Sequence, residues 1–211
     1  MKIIVGHTNM DLDCIGSMVL ARYLHPDFVP VMSNLIHPSA RNLYNLYQYH
    51  LGFVHSDELK KENITDVVIV DTRSFSRVKE YFDLFDSSQT KIEIYDHHIA
   101  EESDFPEAVI HQGSYGSNTT MLGLKLMENN IAISDKDATI ALTAVFSDTG
   151  NFTHDNVSDS DFAVASYFLK FGADIKLVNN FIKSFREEYQ LSLFHEIMNT
   201  LVWQNIKGHQ I

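Results

Sequence analysis

Short apolar runs and helical repeats take turns along the chain. "KIIVG" (Lys2–Gly6) is an apolar run closed by glycine, and after a polar turn "CIGSMVLARYL" carries its apolar residues at helical spacing. The pair reads as strand, loop, helix. "DFVPVM" is a candidate second strand, and "SARNLYNLYQYHL" sets Leu43, Leu46, Tyr47 and Tyr49 on a helical repeat, which marks them as core. "DVVIVD" (Asp66–Asp71) and "KIEIYD" (Lys91–Asp96) are further strands, each ending in aspartate, and "EAVIH" is another. A glycine-rich turn, "QGSYGSNTT", then opens a mostly helical half, with helices predicted near 119–130, 135–147, 159–171 and 186–203 and a helix stop at Gly172. Strands alternating with helices predict an α/β fold: an αβα sandwich with a mainly parallel sheet and a helical C-terminal segment.

Composition narrows the partners. The 211 residues are 45% hydrophobic, enough for a buried core, and 16 basic against 28 acidic residues leave a formal charge of −12. No basic face that tracks a long nucleic acid is advertised, so a phosphorylated substrate must be drawn in locally. The single cysteine, Cys14, excludes an intramolecular disulfide framework and reads as core packing in the first helix. The first residues lack the apolar core of a signal peptide, and no run approaches the roughly 20 apolar residues that span a bilayer. The expectation is a cytoplasmic protein without a membrane partner.

Chemistry gathers at the strand ends. "GHTNMDLDCIGS", "VDTRSFSR", "YDHH" and "FSDTGNF" each follow or close a predicted element, and in a parallel sheet ligands bind beyond the carboxyl ends of the strands. Convergence there brings together His7, Asp11, Asp13, Asp71, Asp96, His97, His98 and Asp148. Singly, each has a bland reading as a turn acid, a helix cap or a surface histidine. Together, so many carboxylates raise one another's pKa steeply unless cations compensate them. Mixed carboxylate and imidazole ligands suit Mn²⁺, and also Mg²⁺, Co²⁺, Fe²⁺ or Zn²⁺, while the lack of thiolates beyond Cys14 disfavours a structural zinc knot. Two such ions about 3.5–4 Å apart form a clamp suited to phosphoryl transfer. Ser117 is a candidate cap whose helix, with Asn118 and Thr119, offers backbone N–H groups to a phosphate. Arg73 and Arg77 read equally as phosphate contacts or as a solvated helix face, and His154 as a more distant neighbour of the ions.

Four ordered blocks, "HTNMDLDCIGS", "VDTR", "DHH" and "SDTG", resemble the motifs of the DHH phosphoesterase superfamily over roughly residues 3–175. That superfamily includes family II pyrophosphatases, RecJ-like exonucleases, nanoRNases, cyclic-dinucleotide phosphodiesterases and exopolyphosphatase-like proteins. The resemblance implies two Mn²⁺ ions, one on His7, Asp11 and Asp71, the other on Asp13, Asp71, His97 and Asp148. It also implies a place beside the phosphate for His98 and a role for Asp96 in orienting the neighbouring histidine. "VDTRSFSRV", "GSNTTML" and "DKDATIALTAVFSDTGNFTH" look most like the module at the N-terminus of some bacterial A-adding tRNA nucleotidyltransferase (poly(A) polymerase-like) proteins. On that likeness residues 1–185 form the DHH domain. Residues 186–211 then lead toward a second, substrate-binding domain outside this chain. The implied activity is metal-dependent hydrolysis of phosphodiester bonds in short RNA or DNA oligonucleotides or a related phosphate ester. The alternatives are a non-hydrolytic RNA- or nucleotide-binding regulatory module, with tRNA as a partner of the longer protein, and a pyrophosphatase or exopolyphosphatase.

Overall fold

A computed structural model describes residues 1–59, 64–82, 84, 90–99, 102–183, 188–200, 205–206 and 209–210. Its centre is a six-stranded, all-parallel sheet. The strands are β1 (Lys2–Val5), β2 (Val29–Met32), β3 (Val54–His55), β4 (Asp66–Val70), β5 (Lys91–Asp96) and β6 (Val109–Gln112), in the order β3-β2-β1-β4-β5-β6. The chain therefore leaves β1 in one direction and returns to its other side with β4. Where a parallel sheet reverses in this way, the connections diverge and open a crevice at the carboxyl ends of the strands.

Period-two alternation explains why the central strands are apolar throughout. Ile4, Val68, Val70 and Tyr95 pack into a large core on one face, and Ile3, Val5, Val67, Ile69 and Ile94 into a smaller one on the other. The larger core lies under α1 (Leu12–Leu24), α2 (Pro38–Leu51), α4 (Asn118–Glu128), α5 (Asp135–Asp148), α6 (Asp159–Lys170) and α7 (Ile175–Lys183). The smaller is closed by short elements, among them α3 (Phe75–Val78) with Val78 and the following turn with Tyr81. Helix α1 is buried along Leu12–Ala21, because the sheet lies on one side of it and α4 and α5 on the other. "ATIALTAV" in α5 is buried for the same reason. Gly16 is the contact point of the three helices: a Cβ there would lie 2.4 Å from Ala144 Cβ and 2.7 Å from Thr119 Oγ1. Gly172 ends α6 with φ +88°, as expected of a helix stop.

One expectation needs correction. On α2, Leu43 and Tyr47 are buried, but Leu46 is 58% and Tyr49 94% exposed, since one face of that helix looks into solvent. The two-residue edge strand β3 and the helix α7 were not anticipated; α7 buries Val178 and Phe181 against the larger core. The helix expected over 186–203 is described as α8 (Glu188–Asn199), and its outer residues fall outside the described ones. The short pair β7 (Asn205–Ile206) and β8 (His209–Gln210) follows.

Candidate metal centre

Each ligand-type residue is held by the element that delivers it. His7 lies just beyond β1 in a turn pinned from both sides. Thr8 N donates to Arg77 O (2.7 Å), Thr8 Oγ1 to Glu80 Oε1 (3.0 Å), and Met10 N to Leu35 O (3.0 Å). Asp11 caps α1 by accepting from Cys14 N (3.0 Å). Asp13, in the first turn of α1, is 2% exposed at its side chain and accepts from Asn118 N (2.7 Å) and Thr119 N (3.0 Å) at the start of α4. Asp71 follows β4 in a left-handed conformation, φ +62°, while its N–H still donates to Tyr95 O (2.8 Å). Aspartate tolerates that backbone better than bulkier residues do, and such strain clusters where geometry serves function. His97 and His98 leave β5 directly, and Asp148 ends α5.

These elements bring together every ligand the sequence suggested. Among the described residues, His7, Asp11 and Asp71 offer ligand atoms within 4.8 Å of one another, as do Asp13, His97 and Asp148 in a second group and Asp71, His97 and His98 in a third. The histidines carry the test of whether a cation fits. His7 Nδ1 donates to Thr8 O (2.9 Å) and His97 Nδ1 to Tyr115 O (3.0 Å), so in each neutral ring Nε2 is a bare lone pair. Yet His7 Nε2, buried without a hydrogen-bond partner among the described residues, faces Asp11 Oδ2 at 3.6 Å and Asp71 Oδ2 at 3.4 Å. His97 Nε2 faces Asp148 Oδ2 at 3.5 Å, Asp71 Oδ1 at 3.6 Å and Asp13 Oδ2 at 3.9 Å. A lone pair would be repelled by these carboxylates and a ring N–H would draw them to hydrogen-bond distance, yet the separations exceed hydrogen bonds. Atoms about 2.0–2.2 Å from a shared ion stand about 3–4 Å apart, which is the spacing here. The donor set fits divalent metal.

Protonation shows the cost of crowding in the protein alone. Burial and then the charge of Asp71 push the Asp13 carboxyl up to about 7. Burial, followed by Asp13 and Asp71, pushes Asp148 up to about 9. For His7, burial opposes the charged ring, but Asp11 and Asp71 outweigh it and hold the imidazole up to about 10. Burial also opposes ionisation of Asp11, and His7, the Cys14 amide and Arg77 together hold it below the ordinary carboxylate range. Electrostatically the site asks for positive charge.

The candidate phosphate contacts divide. Ser117, Asn118 and Thr119 are wholly buried, and their N-terminal helix donors are already taken. Ser117 Oγ accepts from Thr120 N (3.0 Å), while the Asn118 and Thr119 amides hold Asp13. The cap is real, but its anion is Asp13 rather than a ligand phosphate. Arg73 is not a solvated face either: its side chain is 4% exposed and Nε donates to Asp96 Oδ2 at 2.8 Å. Arg77 is half-buried beside Asp11. Asp96, fully buried, accepts from His98 Nδ1 (2.6 Å). His98 itself stands 40% exposed at the mouth. His154 is exposed and donates from Nδ1 to Asp148 O (2.9 Å), outside the three ligand groups. Sequence reasoning missed Glu80, whose hydrogen bonds to Thr8, Ser33 Oγ (2.5 Å) and Asn34 N (3.1 Å) brace the His7 turn; no motif flags it.

The family model described as "DHH family, N-terminal domain" matches residues 2–147. The chain belongs to the DHH family. All the metal-centre residues except Asp148 lie inside that match. Among curated relatives, this DHH chain is 31% identical over its whole length to 24% of an A-adding tRNA nucleotidyltransferase of Geobacter sulfurreducens. It is 30% identical, over 85% of its length, to 29% of the cyclic-di-AMP phosphodiesterase PdeA of Listeria monocytogenes. It thus spans about a quarter of the length of the curated relatives it matches. The DHH fold recurs in the crystal structure of an exopolyphosphatase-related protein from Bacteroides fragilis. There the TM-score is 0.73 at 20% identity, covering 97% of this chain and 62% of that one. Among the described residues, no helix is long and apolar enough to cross a membrane.

Proposed function

We propose that the chain is a divalent-metal-dependent phosphoesterase module that hydrolyses phosphodiester bonds of short oligonucleotides or related nucleotides. The observation that carries this reading is the pair of histidine Nε2 atoms aimed at carboxylates at 3.4–3.9 Å. His7, Asp11 and Asp71 would hold one ion, and Asp13, His97 and Asp148, with Asp71 between the groups, the other. Mn²⁺ is the proposed ion, with Mg²⁺ and Co²⁺ as substitutes. Bound ions of this kind activate water and neutralise charge on phosphoryl oxygens. The chain's own groups do the rest. Backbone carbonyls fix both histidine rings by Nδ1, so that Nε2 stays the ligand atom. With Nδ1–H held by Asp96, His98 at the mouth would give a proton to the departing oxygen from Nε2 when the ring carries a second proton. Arg77, beside Asp11, is the remaining candidate for a substrate phosphate.

A second reading is favoured by the whole-length likeness to an A-adding tRNA nucleotidyltransferase: the same site, loaded with metal, binds a nucleotide or RNA without turning it over. In either reading residues 1–185 would form the DHH domain and α8 would lead on toward a further one; on α8 Leu193, Ile197 and Met198 are exposed. Calorimetric titration of Mn²⁺ into chelator-stripped protein, followed by assay on a dinucleotide and on pyrophosphate, tests both. Two ions with dinucleotide cleavage support the hydrolase, and two ions without cleavage support the binding module. Preference for pyrophosphate supports a pyrophosphatase, and no ions at all would sink every metal-based reading. Asp71→Ala, which removes the carboxylate common to both groups, is expected to abolish two-ion binding.

A further inference from the structure

Arg73 is two residues from Asp71 but, as a donor-only guanidinium, cannot itself be a ligand. Its Nε meets Asp96 Oδ2 at 2.8 Å, its Nη2 is buried without a hydrogen-bond partner among the described residues, and almost none of its side chain reaches solvent. A guanidinium so enclosed cannot meet an oxyanion arriving from solvent. Its partner Asp96 uses its two oxygens for different tasks: Oδ2 takes Arg73, while Oδ1 accepts from His98 Nδ1 at 2.6 Å and from His98 N at 3.2 Å. The three side chains form a chain of contacts from the end of β4 to the end of β5.

We propose that Arg73 is a positioning residue: by pairing with Asp96 it fixes which nitrogen of His98 carries a proton and where the ring points. Both Asp96 oxygens act as acceptors, Oδ2 from the Arg73 Nε–H and Oδ1 from the His98 backbone N–H, and the arginine donor is permanent because its guanidinium does not deprotonate in proteins. An ionised Asp96 is an acceptor only, so the nitrogen facing it, Nδ1, must be the N–H. The ring is thereby locked in one tautomer and one orientation. This argument rests on the phosphoesterase reading only for the use made of His98; the locking itself is a property of the folded chain.

The test is the ¹H–¹⁵N correlation spectrum of the imidazole rings, in metal-free and Mg²⁺-loaded protein, with the His98 signals assigned by their loss in His98→Gln. Wild type is expected to show His98 as the Nδ1–H form. Arg73→Met is expected to give a tautomer mixture while still binding two ions, and Arg73→Lys to restore the wild-type pattern. In the dinucleotide assay Arg73→Met is expected to lower kcat on the order of 10-fold or more with KM within about twofold. An unchanged His98 spectrum in Arg73→Met overturns the proposal, and so does a loss confined to KM, which would make Arg73 a substrate contact. Should Arg73→Met fail to fold, Arg73→Gln, which keeps an N–H donor without the charge, carries the same readouts. If wild type turns nothing over, the phosphoesterase reading fails and the ring spectra still decide the role of Arg73.

Discussion

Asp11 and Asp13 are separated by one residue, yet their surroundings have little in common. Asp11 sits at the mouth, its side chain 40% exposed, and its cap on α1 is local, reaching three residues along the chain. Asp13 is 2% exposed and tied to two amides of α4. One half of the centre is thus assembled from turns around β1 and β4. The other depends on three helices meeting at Gly16, where α4 closes over the Asp13 carboxylate. A ligand held locally can be altered without disturbing the fold, whereas a ligand that also satisfies a buried helix end cannot.

The sharpest way to break this contrast is Asp13→Ala. Two buried N–H groups would lose their acceptor, each at about 1–3 kcal/mol, partly offset by relief of repulsion with Asp71. The expected result is roughly 2–4 kcal/mol of lost stability in urea unfolding, together with loss of one ion from the titration. Stability unchanged would mean that α4 does not depend on that carboxylate.

A smaller effect follows from pH in the stripped protein. Folded Asp13 and Asp148 keep their protons up to about 7 and about 9, whereas unfolded carboxylates release theirs near 3.8. Between those values the folded state binds more protons, so stability falls as pH rises. His7 acts in the same direction: its contribution is complete below its ordinary value of 6.5 and is lost as pH rises through about 10. Thermal unfolding of metal-free protein is therefore expected to move to lower temperature between about pH 5 and about pH 9, with Mn²⁺ cancelling the decline because metal binds deprotonated ligands. A midpoint that climbs with pH over this range contradicts the crowding.

Asp11→Asn should do least. Asparagine caps a helix as well as aspartate, so stability is expected to stay within about 0.5 kcal/mol while the affinity for one ion drops by at least about 10-fold. A large loss of stability here would erase the distinction between the two halves.

The cluster of acids and histidines was readable because each strand announces itself by β-branched residues and ends in a polar turn, so position along the chain translates into position at the sheet edge. What the sequence withheld depended on partners far away in the chain. Ser117 was recognisable as a cap, but nothing in "GSNTT" reveals that the next two amides belong to Asp13. Arg73 looks like any surface arginine after a strand; only the approach of β5 buries it against Asp96. Leu46 and Tyr49 satisfy a helical repeat that α2 does not bury across its full width. Helix α7 was missed because it begins directly after the Gly172 turn, where two short helices read as one ending.

Residues 13 and 118 meet across 105 positions of sequence, and that gap has a meaning in time. At the pace of a ribosome, about 5–20 residues per second, roughly 5–20 seconds separate the emergence of the carboxylate from that of its amide donors. For the later part of that interval, once residue 71 has followed, His7, Asp11 and Asp71 can be outside the exit tunnel while Asp13 still has water as its partner. An ion captured early would find only half a nest. The cluster is complete only late in synthesis, when α4 and α5 close over α1.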